Sequence, residues 1–285
     1  MTHTTNNKPK VRKAELNDFT QVYPLLQEIN DIRLDEKGWH KLFENHWNID
    51  EFSPGLVLET EQGIAGFIGT IYSIQLVAGK EQVFCNLTSW IVKEAWRSYS
   101  FMMILPLVRN KNIVLTSFSS NDVTYELYKK LGFKDGFSGR RIVYSWPSFH
   151  ARNYTLATDI QEIEQQISTE NRSVFDDHRA FGNACILIRY KDQQCLLMGV
   201  VRKKMLKLYY ASDRDFMCQH FKHFRQKLIA RFHVRCIQVD EYLLGGHFLW
   251  FSRQVKRGNP YQYKTVLEHL PPPSPEYSEI FLLNM

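Results

Sequence analysis

The chain is poor in the features that mark several common protein classes. Its 285 residues include only five cysteines. These are Cys85, Cys185, Cys195, Cys218 and Cys236, an odd number with no CxxC pair and no histidine at zinc-ligand spacing, so neither a disulfide framework nor a metal site is indicated. Cys85, Cys185, Cys195 and Cys236 fall in strand-like apolar runs and read as buried free thiols. No window approaches the roughly 18 uninterrupted apolar residues of a membrane helix, and the polar leader, residues 1–10, has no apolar core of the kind a secretion signal carries. The expected protein has no membrane span and is cytoplasmic. Helix-turn-helix, zinc-finger and RNA-binding motifs are missing, so no nucleic-acid partner is expected.

Apolar material, in contrast, is plentiful. Apolar residues make up 44% of the chain and aromatic residues 14%, with 19 Phe, 14 Tyr and 6 Trp, which excludes a disordered chain. The length is generous for one domain and comfortable for two of about 130–150 residues. A formal charge of +6 favours an acidic partner, whether a phosphate-bearing cofactor, an acyl carrier protein or nucleic acid, and does not choose among them.

Periodicity orders the first half. Residues 11–15 read as a short strand, and Asp18 as a helix N-cap before Val22, Leu25, Leu26 and Ile29. Residues 38–47 read as a second helix. Residues 55–60 and 64–74 form a hairpin around Glu61-Gln62-Gly63, and a long strand runs through residues 77–92 after a turn at Ala78-Gly79-Lys80. Helix 100–108, strand 113–118, helix 121–131 and strand 140–146 complete the order βααβββαβαβ, a mixed sheet with flanking helices and so an α+β fold. Residues 147–180 read as a linker with a short helix at 160–168. The stretch 181–285 then repeats hairpin, strand, helix and strand, which makes it a second α+β unit, either a degenerate repeat of the first or an unrelated appendage. Pro271-Pro272-Pro273-Ser274-Pro275 reads as an extended spacer, and Ile280-Phe281-Leu282-Leu283 as a tail that docks on the body.

One stretch carries a resemblance. From Asn121 to Lys134, Asn121, Leu127-Tyr128 and Leu131-Gly132-Phe133 resemble the closing motif of the GCN5-related N-acetyltransferases (GNAT), and the phrase Ile64-Ala65-Gly66-Phe67-Ile68-Gly69-Thr70 is similar to that family's third strand. The order of elements over residues 11–146 is the family's order. The resemblance implies a GNAT acyltransferase fold and transfer of an acyl group from acetyl-coenzyme A, or another acyl-coenzyme A, to an amine. It also implies positions. The family's phosphate loop, Gln/Arg-x-x-Gly-x-Gly/Ala, corresponds to Arg97-Ser98-Tyr99-Ser100-Phe101-Met102. Tyr128 matches the tyrosine that protonates the leaving thiolate, and Asn121 the asparagine that contacts the pantetheine arm. A backbone N–H near Ile91 or Val92, where parallel strands splay, would polarise the thioester carbonyl.

Here the loop departs from the pattern, because Ser100 and Met102 replace the two small positions. Without glycine the backbone cannot easily adopt φ > 0 or let phosphate oxygens approach, so a weaker grip is expected. For a base the sequence offers only Glu81, Glu94, or a water held by Asn86 or Ser89. No nucleophile and base pair stands out, so no covalent enzyme intermediate is expected. His220 and His223, three apart on one helix, read as part of a solvated face with Lys222, Arg225 and Lys227. The resulting expectation is acyl transfer to a small-molecule or peptide amine in a ternary complex. The alternatives are transfer from an acidic acyl carrier protein, and a non-catalytic GNAT-fold binding or regulatory protein.

Overall fold

The computed structural model describes residues 8–29, 31, 34–47, 49–50, 52–246, 249–256 and 258–284; residues 1–7 of the polar leader lie outside them. Two compact units emerge. Unit 1 runs up to Asp135 and takes in Tyr261–Pro273 and Tyr277–Leu283, and unit 2 is Gly136–Pro260 with Ser274–Glu276.

Unit 1 contains β1 (Lys10–Lys13), α1 (Phe19–Gln27), α2 (Glu36–His40), β2 (Gly55–Thr60), β3 (Gly63–Val77), β4 (Lys80–Val92), α3 (Ser100–Arg109), β5 (Ile113–Ser117), α4 (Asp122–Lys130) and β6 (Lys134–Asp135). In unit 2 lie β7 (Gly139–Tyr144), β8 (Thr155–Ala157), α5 (Ile160–Gln166), α6 (Thr169–His178), β9 (Ala184–Tyr190), β10 (Gln193–Arg202), β11 (Met205–Ala211), α7 (Arg214–Arg231), β12 (Cys236–Asp240) and β13 (Ser252–Lys256). The chain then returns to unit 1 with β14 (Gln262–Lys264) and α8 (Glu279–Leu282). The helix expected at 160–168 is α5, with a second helix, α6, following it where linker was expected, and the one expected at 38–47 is α2 followed by a 3-10 turn, Lys41–Phe43.

The first sheet has the order β1-β2-β3-β4-β5-β14-β6, and the second, read from its other edge, β8-β9-β10-β11-β12-β7-β13. Position for position the two agree. In each the fourth and fifth strands are parallel and all other pairs antiparallel. Two helices follow the first strand of each sheet, and one helix joins the fourth strand to the fifth. After the fifth strand they diverge: unit 1 has α4, whereas among the described residues unit 2 has only a 3-10 turn, Glu241–Leu244. Unit 2 thus shares the strand order of unit 1 but, among the described residues, has no counterpart of the helix carrying Tyr128.

The units exchange a strand. The strand expected at 140–146 to close the first sheet is β7, and it pairs with β12 and β13 of the second sheet. Its place in the first sheet is taken by β14, between β5 and β6. Alternation of side chains identifies a strand but not its partner, so the residues of β7 do not show which sheet it joins.

Packing follows the strand pleat, in which successive side chains point to opposite faces. Cys85 and Leu87 of β4 join Met103, Ile104 and Tyr128 in one core cluster. Asn86 and Thr88, on the other face of β4, are also buried. The apolar tail is buried as expected, with Ile280, Phe281, Leu282 and Leu283 all at most 4% exposed.

Candidate functional site

The site is built on a fork in the first sheet. Strands β4 and β5 pair only over Val83–Asn86 and Ile113–Thr116, so the second half of β4 has no partner on that side. There β4 also bulges: Phe67 pairs with Ile91 and Gly69 with Thr88, leaving Ser89 and Trp90 opposite the single residue Ile68. Ser89 takes φ +51°, the left-handed conformation that bulges accommodate. Ile91 and Val92, one of which is expected to aim a backbone N–H at a carbonyl, form the half-buried end of this unpaired segment. Gly66 and Gly69 make the close strand approach possible. A Cβ at Gly66 would sit 3.0 Å from Val92 Cγ2 and 3.1 Å from Met103 Sδ, and one at Gly69 3.0 Å from Thr88 Cγ2.

Helix α4 brings Tyr128 to the fork. Asn121 caps it, its Oδ1 accepting from Thr124 N at 2.9 Å. Gly132, at φ +83°, ends it in a Schellman motif, with Phe133 N donating to Tyr128 O and Gly132 N to Lys129 O, both at 3.0 Å. The buried side chain of this helix is Tyr128, whereas Val123, expected in the apolar stripe, is 80% exposed. The Tyr128 ring lies between Trp90 (6.0 Å, 19°) and Phe133 (4.7 Å, 18°). Burial, with the carboxylate of Glu279 nearby, raises its pKa far above the ordinary 10. The adjacent Trp90 Nε1 is a buried donor without a hydrogen-bond partner among the described residues.

Glu279, on α8, completes the constellation. It is fully buried. Its Oε2 accepts from Asn86 Nδ2 at 2.5 Å and its Oε1 from Ser119 Oγ, while Thr116 Oγ1 donates to Asn86 Oδ1 at 3.3 Å and so fixes the amide orientation. Asn86 and Thr116 are the last paired residues before the fork opens. A carboxylate therefore stands at the apex of the fork, on the opposite sheet face from Tyr128. Neither Glu279 nor Trp90 stands out in the sequence. The one available signal is a lone charge in an otherwise apolar tail, since buried acids are rare unless partnered.

The segment matched to the phosphate loop is helical throughout. Glu94–Tyr99 form a 3-10 helix that runs straight into α3, and the Ser100 N–H is already bonded to Arg97 O. Tyr99, at the junction, offers no side-chain cap. Arg97 and Ser98 are exposed, Tyr99 and Ser100 half-buried, and Phe101 and Met102 present apolar surface at 46% and 44% exposure. Donors that a pyrophosphate would need are partly spent within the helix. The fork thus gathers Ile91, Val92 and Tyr128 with Asn86, Trp90 and Glu279; Arg97–Met102 lie along the following helix and Asn121 at the start of α4.

The histidine pair is not a solvated face. His220 Nδ1 lies 2.8 Å from Tyr154 Oη, His223 Nδ1 3.1 Å from Ser148 Oγ, and Arg225 is buried with Nη1 donating to Trp250 O at 2.7 Å. Among the described residues no group of three His, Cys, Asp or Glu side chains could hold a metal ion, and no helix is long and apolar enough to cross a membrane.

No protein-family model and no curated protein sequence matches the chain. Its structure is similar to that of a GCN5-related N-acetyltransferase from Anabaena variabilis ATCC 29413, with TM-score 0.62 and 12% identity over 91% of this chain and 73% of that one. It is also similar to a GCN5-related N-acetyltransferase from Kribbella flavida (0.56, 10%, 90% and 72%) and to Eis1 from Mycobacterium abscessus (0.53, 9%, 90% and 74%). With the forked, bulged sheet and the repeated strand order, these similarities show that the chain has the fold of the GCN5-related N-acetyltransferases.

Proposed function

We propose that unit 1 transfers an acyl group, most simply acetyl, from an acyl-coenzyme A co-substrate to a primary amine of a small molecule or peptide, by direct attack in a ternary complex. The observation that carries this reading is the fork: an unpaired, bulged strand end beside a buried tyrosine. A pantetheine arm laid along β4 would complete the hydrogen bonding that β5 leaves unmade there. A backbone N–H of this strand end, at Ile91 or Val92, would then meet the thioester carbonyl, where developing negative charge is best stabilised by fixed donors. Asn121 contacts the arm from the start of α4, and Arg97 with Ser98, Tyr99, Ser100, Phe101 and Met102 forms the outer end of the groove.

The raised pKa of Tyr128 refines its role. An ordinary thiol has a pKa of about 8.5, so a phenol well above 10 is the weaker acid and does not hand over its proton outright. It acts as a hydrogen-bond donor to the departing sulfur, which lowers the energy of the developing thiolate in a dry site. The continuous helix at Glu94–Arg109 favours one further reading. A donor carried on acidic acyl carrier protein presents pantetheine without a free pyrophosphate, and a chain of net charge +6 suits an acidic carrier.

The test is thiol release from acetyl-coenzyme A, and from a loaded carrier protein, with a panel of primary amines. Tyr128→Phe is expected to lower turnover about tenfold or more with little change in donor affinity. Equal turnover in both proteins would remove Tyr128 from the chemistry, and no turnover with any donor would leave a binding module.

A further inference from the structure

We propose that a second cleft in unit 1, at the end of the first sheet away from the fork, binds a small amphiphile with a hydrocarbon body and a single carboxylate head. The inference is independent of the acyl-transfer reading. The cleft has a volume of about 590 Å³, within the range of about 300–1,000 Å³ usual for small-molecule sites. Val83 of β4 and Ile113 of β5, the first residues of the parallel pair, line it. The fork opens beyond Asn86 and Thr116, at the other end of that pair. None of Asn86, Trp90, Ile91, Val92 and Tyr128 lines the cleft, so the two sites are separate.

The walls are mainly apolar. Leu56, Ile74, Val83 and Ile113 form the sheet side, and Pro106 and Leu107 of α3 the helix side. At about 30 Å³ for each water, the volume corresponds to about twenty waters, most of them facing carbon, and replacing them with hydrocarbon is favourable. The apolar surface continues outward, because residues two apart in a strand share a face and, beyond the half-buried Tyr72, Ile74 and Leu76 of β3 are 49% and 75% exposed. Charge sets the head group. Arg12 lines the cleft, but its guanidinium is committed to Asp18 at 2.6 and 2.9 Å and to Glu59 at 3.1 Å. The exposed ammonium of Lys13, also on the wall, has no hydrogen bond or ion pair among the described residues. Asn110 Oδ1 accepts from Asn112 N at 3.0 Å, which leaves the Asn110 amide group to donate. An ammonium and an amide thus offer donors to a carboxylate. Asp50, the one carboxylate among the described lining residues, repels a second negative charge and so selects a monocarboxylate over a diacid or a phosphate.

The experiment titrates the full chain with hexanoate, octanoate and decanoate by isothermal titration calorimetry, with octylamine and octan-1-ol as head-group controls. The expected result is one carboxylate bound per chain, each added methylene tightening binding up to about fourfold, and octanoate bound more tightly than octylamine or octan-1-ol. Ile74→Asp sets a charge on the wall and is expected to weaken octanoate about tenfold or more. Lys13→Ala should weaken it about threefold, to the level of octan-1-ol. Val123→Asp, at an exposed apolar position of α4 that does not line the cleft, is the matched control and should bind as the wild type does. Lys13 and Ile74 are both exposed, so the variants are expected to fold, and Lys13→Ala decides the matter if Ile74→Asp does not. Absence of octanoate and decanoate binding at millimolar concentration would overturn the assignment, as would wild-type affinity in either folded variant or an equal loss in Val123→Asp. Tighter binding of octylamine than of octanoate would overturn the carboxylate head.

Discussion

Cutting the chain at the boundary that its sequence implies should destroy unit 1. A fragment of residues 1–146 keeps every helix and strand of the first half but loses β14, which pairs with both β5 and β6, and α8. Four side chains leave the core with it: Ile280, Phe281, Leu282 and Leu283, each at most 4% exposed. At about 1.5–3 kcal/mol for each fully buried large apolar side chain, the loss is about 6–12 kcal/mol, comparable to the whole stability of an ordinary domain, about 5–15 kcal/mol. The cut also strips Asn86, 1% exposed, of its carboxylate partner and leaves β5 with an open edge, where unpaired backbone groups invite aggregation. The assay is far-UV circular dichroism with urea titration of the 1–146 fragment, alone and with a peptide of residues 259–285. The fragment alone is expected to show no cooperative transition, and the peptide to restore one. Cooperative unfolding of the fragment alone, at a midpoint near that of the full chain, would refute the strand exchange and the energetics drawn from it.

Three further outcomes follow from particular residues. A Cβ added at Gly55 or Gly199 would lie 2.1 Å from a backbone oxygen, of Ile68 or Lys207 respectively, whereas one at Gly258 meets nothing within 4 Å. Gly55→Ala and Gly199→Ala should therefore each cost about 1–3 kcal/mol in urea denaturation and Gly258→Ala almost nothing; equal stability of all three would contradict the register. His220 and His223 have pKa values lowered by burial and by Lys222, so protonation favours the unfolded chain. The stability they contribute is complete above about pH 6.5 and is lost as pH falls through their folded-state values. Melting temperatures at about pH 7.5 and 5.5 should show a smaller acid drop in His220→Gln/His223→Gln than in the wild type, and an equal drop would refute the assignment. Burial pushes the thiols of Cys85 and Cys185 up to about 12 and that of Cys195 to about 11, so these three should resist a disulfide reagent until the protein is denatured, while the half-buried Cys218 reacts first; prompt labelling of Cys85 in native protein would contradict the packing.

Most of the elements were legible because their periodicity is strong. The hairpin around Gly63, the run into β4, α3, β5 and α4 with its capping Asn121 and stopping Gly132 all show in the residues themselves. What escaped has a common cause. Strand β14 is three residues long and β6 two, too short for alternation to register, so nothing local shows that Gln262 pairs with Ser117. For β7 the pattern is clear, but a pattern of alternating side chains names no partner sheet. Val123 sits at the correct helical spacing yet faces water, because the helix turns Tyr128 inward instead. Glu279 reaches Asn86 only when a segment 193 residues distant closes on the first sheet, and no spacing rule spans such a distance. The histidines of α7 read as solvated because they alternate with Lys222 and Lys227, yet the His220 ring packs on Tyr154, Tyr190 and Phe216 and the His223 ring on Tyr154 and His150.

The central claim, that the fork of unit 1 takes an acyl thioester, is tested most directly by thermal unfolding of the full chain over a concentration series of acetyl-coenzyme A, with desulfo-coenzyme A to exclude thiol chemistry and S-acetylpantetheine to report the arm alone. A ligand that binds only the folded state adds about 2.7 kcal/mol at a hundredfold excess over its Kd. A saturable rise in melting temperature is expected with both acetyl-coenzyme A and S-acetylpantetheine, with only a modest advantage for the phosphate-bearing donor because Arg97–Met102 are wound into helix. No rise with either compound at millimolar concentration would contradict it.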